Sequence, residues 1–210
     1  MKSVEIPTTD PQELLDQMSH LVGDEERRRF FDRRSDLVRK EQVEAICAEV
    51  ARQVRIDAEK AIELAMTGRF LAELLDNDAS RGLSARAAAN AYHFSGNYAL
   101  SQELYEAALE GFERLGDELS GAITRSSALY NMAYLGEFEQ VYAWEAAARR
   151  IFERHDDRLR LAILDHNIGN VLQRQGRYHE AMPRYLDAYE GLKRLGHPEN
   201  AAVCLNNVAA

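Results

Sequence analysis

The 210-residue sequence is 46% hydrophobic and 29% charged, and its 4 prolines and 12 glycines are too few for an all-β chain. Its 35 acidic and 26 basic residues give a net charge of −9, which disfavours binding to nucleic acid or to an anionic membrane. Cys47 and Cys204 lie too far apart for a disulfide framework, and we expect neither a metal nor another cofactor. Without a signal peptide or a long apolar run, the sequence predicts a cytoplasmic protein.

The first 40 residues predict a pair of capping helices. Asp10 followed by Pro11 is a typical helix start, and Gly23 is expected to end this first helix. A second helix opens with the acidic residues at 24–26, which suit the positive end of a helix dipole. We expect the pair over 1–40 to cover the N-terminal end of a repeat array, because a terminal repeat otherwise exposes an apolar face.

A 40-residue repeat organises the rest of the chain. A glycine, a polar residue and an aromatic recur in step, and an alanine ten residues after each aromatic recurs with them: Gly96-Asn97-Tyr98, Gly136-Glu137-Phe138 and Gly176-Arg177-Tyr178, with Ala108, Ala148 and Ala188. Because glycine tolerates the left-handed conformation that ends a helix, each phrase predicts the turn of a helical hairpin. We predict an array over 41–210, with units at about 41–80, 81–120, 121–160 and 161–197 and an orphan first helix at 198–210.

The two ends of the array depart from the pattern. In the first unit, Ile56 stands at the position of the inter-helix glycine, while Gly68-Arg69-Phe70 repeats the phrase out of step, so two turn positions remain open. The helix at 198–210 has no partner helix in this sequence, and we therefore expect the polypeptide to be part of a longer protein.

The clearest copy of the pattern resembles the tetratricopeptide repeat, in a long form of about 40 residues. It consists of Asn167-Ile168-Gly169-Asn170, Gly176-Arg177-Tyr178, Ala181, Tyr185 and Ala188. The resemblance implies an all-α fold, a right-handed α-solenoid of helical hairpins whose first helices line a concave groove. It also implies a protein-interaction scaffold that binds a peptide or partner segment in that groove.

The resemblance also predicts which side chains face the groove: Arg86, Asn90, His93, Ser127, Tyr130, Tyr134, Asn167, Asn170, Arg174 and Asn207. Asn167 and Asn207 lie one repeat apart and resemble the asparagine ladder with which families such as kinesin light chain bond a peptide's main chain. Arg86 and Asn90 resemble half of the carboxylate clamp of chaperone adaptors, but Ser127 stands where a later basic residue would be. These polar residues can instead be plain surface residues, and the tyrosines can instead pack between repeats.

No nucleophile stands beside a credible base in the sequence, and there is no glycine-rich phosphate loop, so we expect no enzymatic activity. The segment 167–177, with the Arg/Lys-Leu-Gly loops, is similar to repeat regions that precede a CHAT domain, a relative of caspase-type cysteine peptidases. That likeness implies a second hypothesis, a sensory arm of a larger enzyme or bacterial regulator, whose groove would hold either an activator or the missing C-terminal part of the same protein. A structural spacer is a third.

Overall fold

The computed structural model describes residues 9–18, 20–21 and 23–208, with side chains up to residue 206. Within these residues the chain forms eleven α-helices, one short 3-10 helix and no β-strand, which confirms the all-α prediction. Many of these helices pack on the next helix in sequence, as expected of a helical solenoid. The chain divides into two compact units, Met1–Leu115 and Gly116–Ala210.

Unit 1 contains six α-helices in the described residues. They are α1 (Pro11–Met18), α2 (Gly23–Arg33), α3 (Lys40–Gln53), α4 (Ala58–Leu75), α5 (Asp78–Phe94) and α6 (Tyr98–Arg114), with a 3-10 helix at Ser35–Leu37. From α3 onwards each helix packs on the next, and α3 also packs on α5. Helix α1 lies against α3 and α4, while α2 places Phe31 5.9 Å from Phe70 of α4, between ring centroids. That this helix pair caps an array stays a prediction.

Unit 2 contains five α-helices in the described residues. They are α7 (Glu118–Leu135), α8 (Phe138–Arg154), α9 (Arg158–Arg174), α10 (Tyr178–Arg194) and α11 (Pro198–Val208). The hairpins α7–α8 and α9–α10 each pack internally, α7 and α8 both pack on α9, and α11 packs on α10. Helices α7 and α9, the first helices of their hairpins, are therefore direct neighbours.

The helix ends follow the local chemistry of the sequence. Gly96, Gly136 and Gly176 have φ angles of 83°, 82° and 74°, which confirms that the repeated phrases are turns. Asp10 Oδ1 accepts hydrogen bonds from the amides of the first turn of α1, as predicted. The prediction for Gly23 is wrong, because α1 already ends at Met18 and Gly23 is the first residue of α2.

The first hairpin, α3–α4, turns at the in-step position. Helix α3 ends at Gln53, Ile56 lies exposed in the turn, and Asp57 caps α4. The alternative turn at Gly68 is wrong, because Gly68 is buried in the middle of α4. An added Cβ there would lie 3.2 Å from Ile46 Cγ2, so this glycine allows close helix packing instead of a turn.

Small residues let the helices of each hairpin approach closely. Ala108, Ala148 and Ala188 are fully buried at equivalent positions of three second helices. Gly169 lies against the ring of Tyr185, where an ideal Cβ would come within 2.5 Å of Cε1. The core of the α9–α10 hairpin therefore depends on a pair of one small and one large residue. Within the described helices, no stretch combines the length and apolarity that crossing a bilayer requires.

Candidate functional site

Six of the predicted site residues lie together on two neighbouring helices of unit 2. On α7 they are Ser127, Tyr130 and Tyr134, and on α9 they are Asn167, Asn170 and Arg174. The two sets have the same spacing and lie one repeat apart, so each projects from one side of its helix. Arg174 is exposed and the other five are half-buried. We refer to these six residues as the α7–α9 face.

An aromatic pair and an arginine occupy one end of the α7–α9 face. The rings of Tyr130 and Tyr134 meet edge to face with centroids 5.0 Å apart, and their hydroxyl oxygens lie 3.3 Å apart. The Arg174 Cζ atom lies 3.6 Å from the Tyr134 ring centroid. Its Nε donates a hydrogen bond to the Ala133 carbonyl at 3.0 Å. This carbonyl belongs to the last turn of α7, which lacks intrahelical donors, so Arg174 also caps that helix.

Asn167 donates a hydrogen bond to main chain, as the resemblance implies, but the acceptor belongs to helix α7 and not to a peptide ligand. Its Nδ2 donates to the Ser126 carbonyl at 2.9 Å and lies 3.2 Å from Ser126 Oγ. Asn167 and Arg174 are seven residues apart, as are the carbonyls of Ser126 and Ala133 that they bond. Two side-chain bonds therefore hold α9 in a fixed register against α7. Asn207 lies in α11, but its side chain is outside the described residues.

Asn170 and Asn90 each accept a hydrogen bond from a buried tyrosine. The hydroxyl of Tyr185 donates to Asn170 Oδ1 at 2.9 Å, and the hydroxyl of Tyr105 donates to Asn90 Oδ1 at 2.6 Å. Both tyrosine side chains are 1% exposed. Because an unsatisfied buried hydroxyl is costly, these asparagines have a structural role within their own hairpins.

The remaining candidates lie in unit 1. The Arg86 guanidinium lies over the Phe112 ring, with Cζ 5.5 Å from the centroid, and burial raises the pKa of Tyr105 while Arg86 opposes that shift. His93 makes ring contacts with Phe94 and Tyr98 at 5.4 Å in each case. These contacts supply packing partners for both residues, so each has a structural role in unit 1.

One thiol and one imidazole that are far apart in the sequence lie close together in the structure. Cys204 Sγ of α11 lies 3.3 Å from His166 Nδ1 of α9, and His166 Nε2 lies 3.2 Å from Asn170 Nδ2. The Cys204 side chain is 1% exposed, however, and burial raises the pKa of its thiol. A protonated, enclosed thiol is a poor nucleophile, so the pair mainly attaches α11 to α9. Among the described residues, no three His, Cys, Asp or Glu side chains are grouped to hold a metal ion.

Sequence reasoning missed an ionic network on the other side of α9. Asp165 accepts hydrogen bonds from Arg149 of α8 at 2.7 Å and from Arg184 of α10 at 2.9 Å, and Arg149 also bonds Glu145 at 2.6 Å. Burial opposes the charge of Arg149, but the hydrogen bonds to Asp165 and Glu145 outweigh it and raise its pKa. The partners lie 16 and 19 residues from Asp165, and only the three-helix geometry brings them together.

These features define an all-α helical-repeat protein with a polar and aromatic face on the first helices of its second unit. Neither a protein-family model nor a curated protein sequence matches the chain. Among solved structures, it is similar to the crystal structure of BtubC (BKLC) from P. vanneervenii, with a TM-score of 0.59 and 21% sequence identity. The match covers 96% of this chain and 90% of that chain. At this identity the likeness shows the fold alone.

Proposed function

We propose that the chain is a non-catalytic binding module whose α7–α9 face takes an extended peptide or partner segment. The observation that carries the proposal is the composition of this face. It combines two tyrosine rings, a hydroxyl, two amides and a guanidinium on adjacent helices, and five of these six side chains are half-buried. Tyrosine and arginine are enriched at the centres of protein interfaces, because they combine apolar contact area with polar atoms.

The polar groups of the face suit the main chain of a ligand. Asn167 uses its Nδ2 on α7, but its Oδ1 accepts no hydrogen bond within the described part of the chain. That oxygen can accept an amide proton from a peptide. The hydroxyl of Ser127, which donates to the Ile123 carbonyl, retains acceptor capacity in the same way. The expected mode is therefore main-chain recognition by acceptors, beside apolar contact with Tyr130 and Tyr134.

Two further features support a protein ligand and a non-catalytic role. The net charge of −9 disfavours polyanions such as nucleic acid and anionic membranes as partners. The thiol of Cys204 is enclosed and protonated, so its neighbour His166 has no accessible nucleophile to activate.

Peptide selection followed by substitution tests the proposal. A phage-displayed library of random peptides is selected against the protein, and affinities of the selected peptides are measured by fluorescence anisotropy. We expect Tyr130→Ala to weaken binding about tenfold, the usual effect of truncating a central interface aromatic. Tyr130→Phe, which keeps the ring, should lose less. The matched control is Tyr178→Ala on α10, a tyrosine that is 62% exposed and lies outside the face.

Two outcomes would contradict the proposal. The first is that the selected peptides bind both Tyr130 variants as tightly as they bind the wild type. The other is a selection that enriches no peptide. Circular dichroism of each variant separates loss of the face from loss of the fold.

A further inference from the structure

The α7–α9 face contains one cation without a counter-ion. Arg174 is exposed at the end of α9, and its two terminal nitrogens make no hydrogen bond or ion pair within the described residues. Several other arginines of unit 2 have acidic partners. Arg149 and Arg184 both bind Asp165, and Arg177 binds Glu180. Arg150 and Arg194 also lack an acidic partner within the described residues, but of these three arginines only Arg174 lies on the α7–α9 face.

The guanidinium of Arg174 is already fixed in orientation. Its Nε donates a hydrogen bond to the Ala133 carbonyl, and its Cζ atom lies over the Tyr134 ring, 3.6 Å from the ring centroid. These two contacts restrict the rotation of the guanidinium. Both terminal nitrogens are then left on the outer edge, in the planar fork that matches a carboxylate. Because the side chain is held before a ligand arrives, binding loses less conformational entropy than it would with a free arginine.

From this geometry we propose that Arg174 is an anion receptor of the face and that the bound segment places a carboxylate on it. The inference rests on the proposed function. The other five side chains of the face are uncharged residue types, so the site offers one positive charge. One carboxylate matches that charge, whereas a phosphate carries about two negative charges at neutral pH. The carboxylate belongs to an aspartate or glutamate side chain or to the C-terminus of the segment, since all three share this chemistry.

The same peptide selection, run on Arg174→Gln in parallel with the wild type, tests the inference. We expect wild-type binders to align with an acidic residue at one position and the variant's binders to lack it. Arg174→Gln should weaken an acidic peptide about tenfold, while the same peptide with glutamine at that position binds both proteins within about twofold. The matched control is Arg158→Gln, since Arg158 is an exposed arginine at the opposite end of α9.

Further measurements distinguish which carboxylate binds and what the Arg174 side chain contributes. Each selected peptide is synthesised with a free and with an amidated C-terminus, and a preference for the free acid that disappears in Arg174→Gln identifies the terminal carboxylate. Arg174→Lys keeps the charge but not the fork, so it should restore little of the affinity. Melting temperatures by circular dichroism test whether loss of the Ala133 bond has unfolded the variant.

The failures of the two proposals are distinguishable. Peptides that depend on Tyr130 but show no acidic preference, or that bind Arg174→Gln as tightly as the wild type, would overturn the role of Arg174 and leave the binding face intact. Peptides that are indifferent to Tyr130, or a selection that yields none, would overturn the binding face and the inference with it.

Discussion

Substitution of Gly169 by alanine tests the packing on which the α9–α10 hairpin depends. An ideal Cβ at this position would lie 2.5 Å from Cε1, 2.7 Å from Cδ1 and 3.0 Å from Cζ of Tyr185. The ring cannot move away freely, because the side chain is 1% exposed and its hydroxyl bonds both Asn170 and Gln173. Either the helices separate or these hydrogen bonds lengthen.

Two opposing effects set the magnitude. Overpacking a dense core costs about 1–3 kcal/mol. Alanine is favoured over glycine in a helix interior by about 1 kcal/mol. The difference between the two effects is about 0–2 kcal/mol. Because the shortest contact would be only 2.5 Å, we expect Gly169→Ala to destabilise the protein by about 1–2 kcal/mol, the upper half of that range.

Urea unfolding followed by circular dichroism measures the effect. The matched control is Gly111→Ala, where the nearest atom to the added Cβ is the Gly82 Cα at 3.9 Å, an ordinary contact. That substitution should be neutral or stabilising. In a Tyr185→Leu background, Gly169→Ala should cost less, because the clashing ring atoms are gone. A Gly169→Ala protein as stable as the wild type would refute the close packing of these helices.

Three further predictions concern a helix cap, a half-buried ionic network and a buried thiol. Asp57→Ala removes the side-chain cap of α4 and should lower the free energy of unfolding in urea by about 1 kcal/mol. Glu137→Ala, at a helix start without such a hydrogen bond, should lower it less, and equal effects would contradict the cap. Asp165→Asn should cost about 1–3 kcal/mol because it weakens two arginine pairs, while Asp156→Asn, in an exposed pair, should stay within about 1 kcal/mol; the reverse order would contradict the network. Burial raises the pKa of Cys47 from 9.0 to about 12, so the folded state holds a proton that the unfolded state releases above pH 9.0. The resulting stability is complete below pH 9.0 and is lost as the pH rises toward 12, so Cys47→Ala should unfold with a weaker pH dependence in that range; an unchanged dependence would contradict the burial.

The positions of the helices could be predicted from the sequence because they depend on local chemistry. The φ angle of 82° at Gly136 ends α7 through a conformation that few other residues accept, and its neighbours in sequence suffice to identify it. Gly68 shows the limit of this reasoning. It stands in a similar Gly-Arg-Phe phrase, yet it lies in the middle of a helix. A glycine stands there because Ile46 of another helix occupies the space that a side chain would need.

The roles of the site residues could be predicted only in part. The repeat pattern predicted that Asn167 shares one side of α9 with Asn170 and Arg174, but it gave no sign that the partner of its amide is the Ser126 carbonyl, 41 residues away. Likewise, Cys204 and His166 lie 38 residues apart, and neither is marked by a neighbouring residue. Such pairings depend on the register between helices, which the periodicity of one helix does not specify.

One hairpin departs from the repeat at a residue of the α7–α9 face, and this departure bears on the proposed binding function. In α5–α6 and α9–α10, an asparagine of the first helix accepts from a tyrosine of the second, as Asn90 does from Tyr105. In α7–α8 both partners differ together, since Tyr130 and Glu145 stand at these positions. Glu145 pairs with Arg149 on its own helix, and Tyr130 instead meets Tyr134 along α7.

This exchange replaces a structural bond inside the hairpin with an aromatic pair on the surface of α7. Asn90 and Asn170, which match the repeat, each accept a hydrogen bond from a buried tyrosine of their own hairpin. Tyr130, which stands at the same position in α7, does not make the equivalent bond, because Glu145 replaces the tyrosine there. If the proposed function holds, we therefore expect substitution of Tyr130 to report on ligand binding more directly than substitution of an asparagine that matches the repeat. The same logic places Tyr130 at the centre of the binding test, ahead of Asn167 and Asn170, whose substitution also removes bonds that hold the helices together.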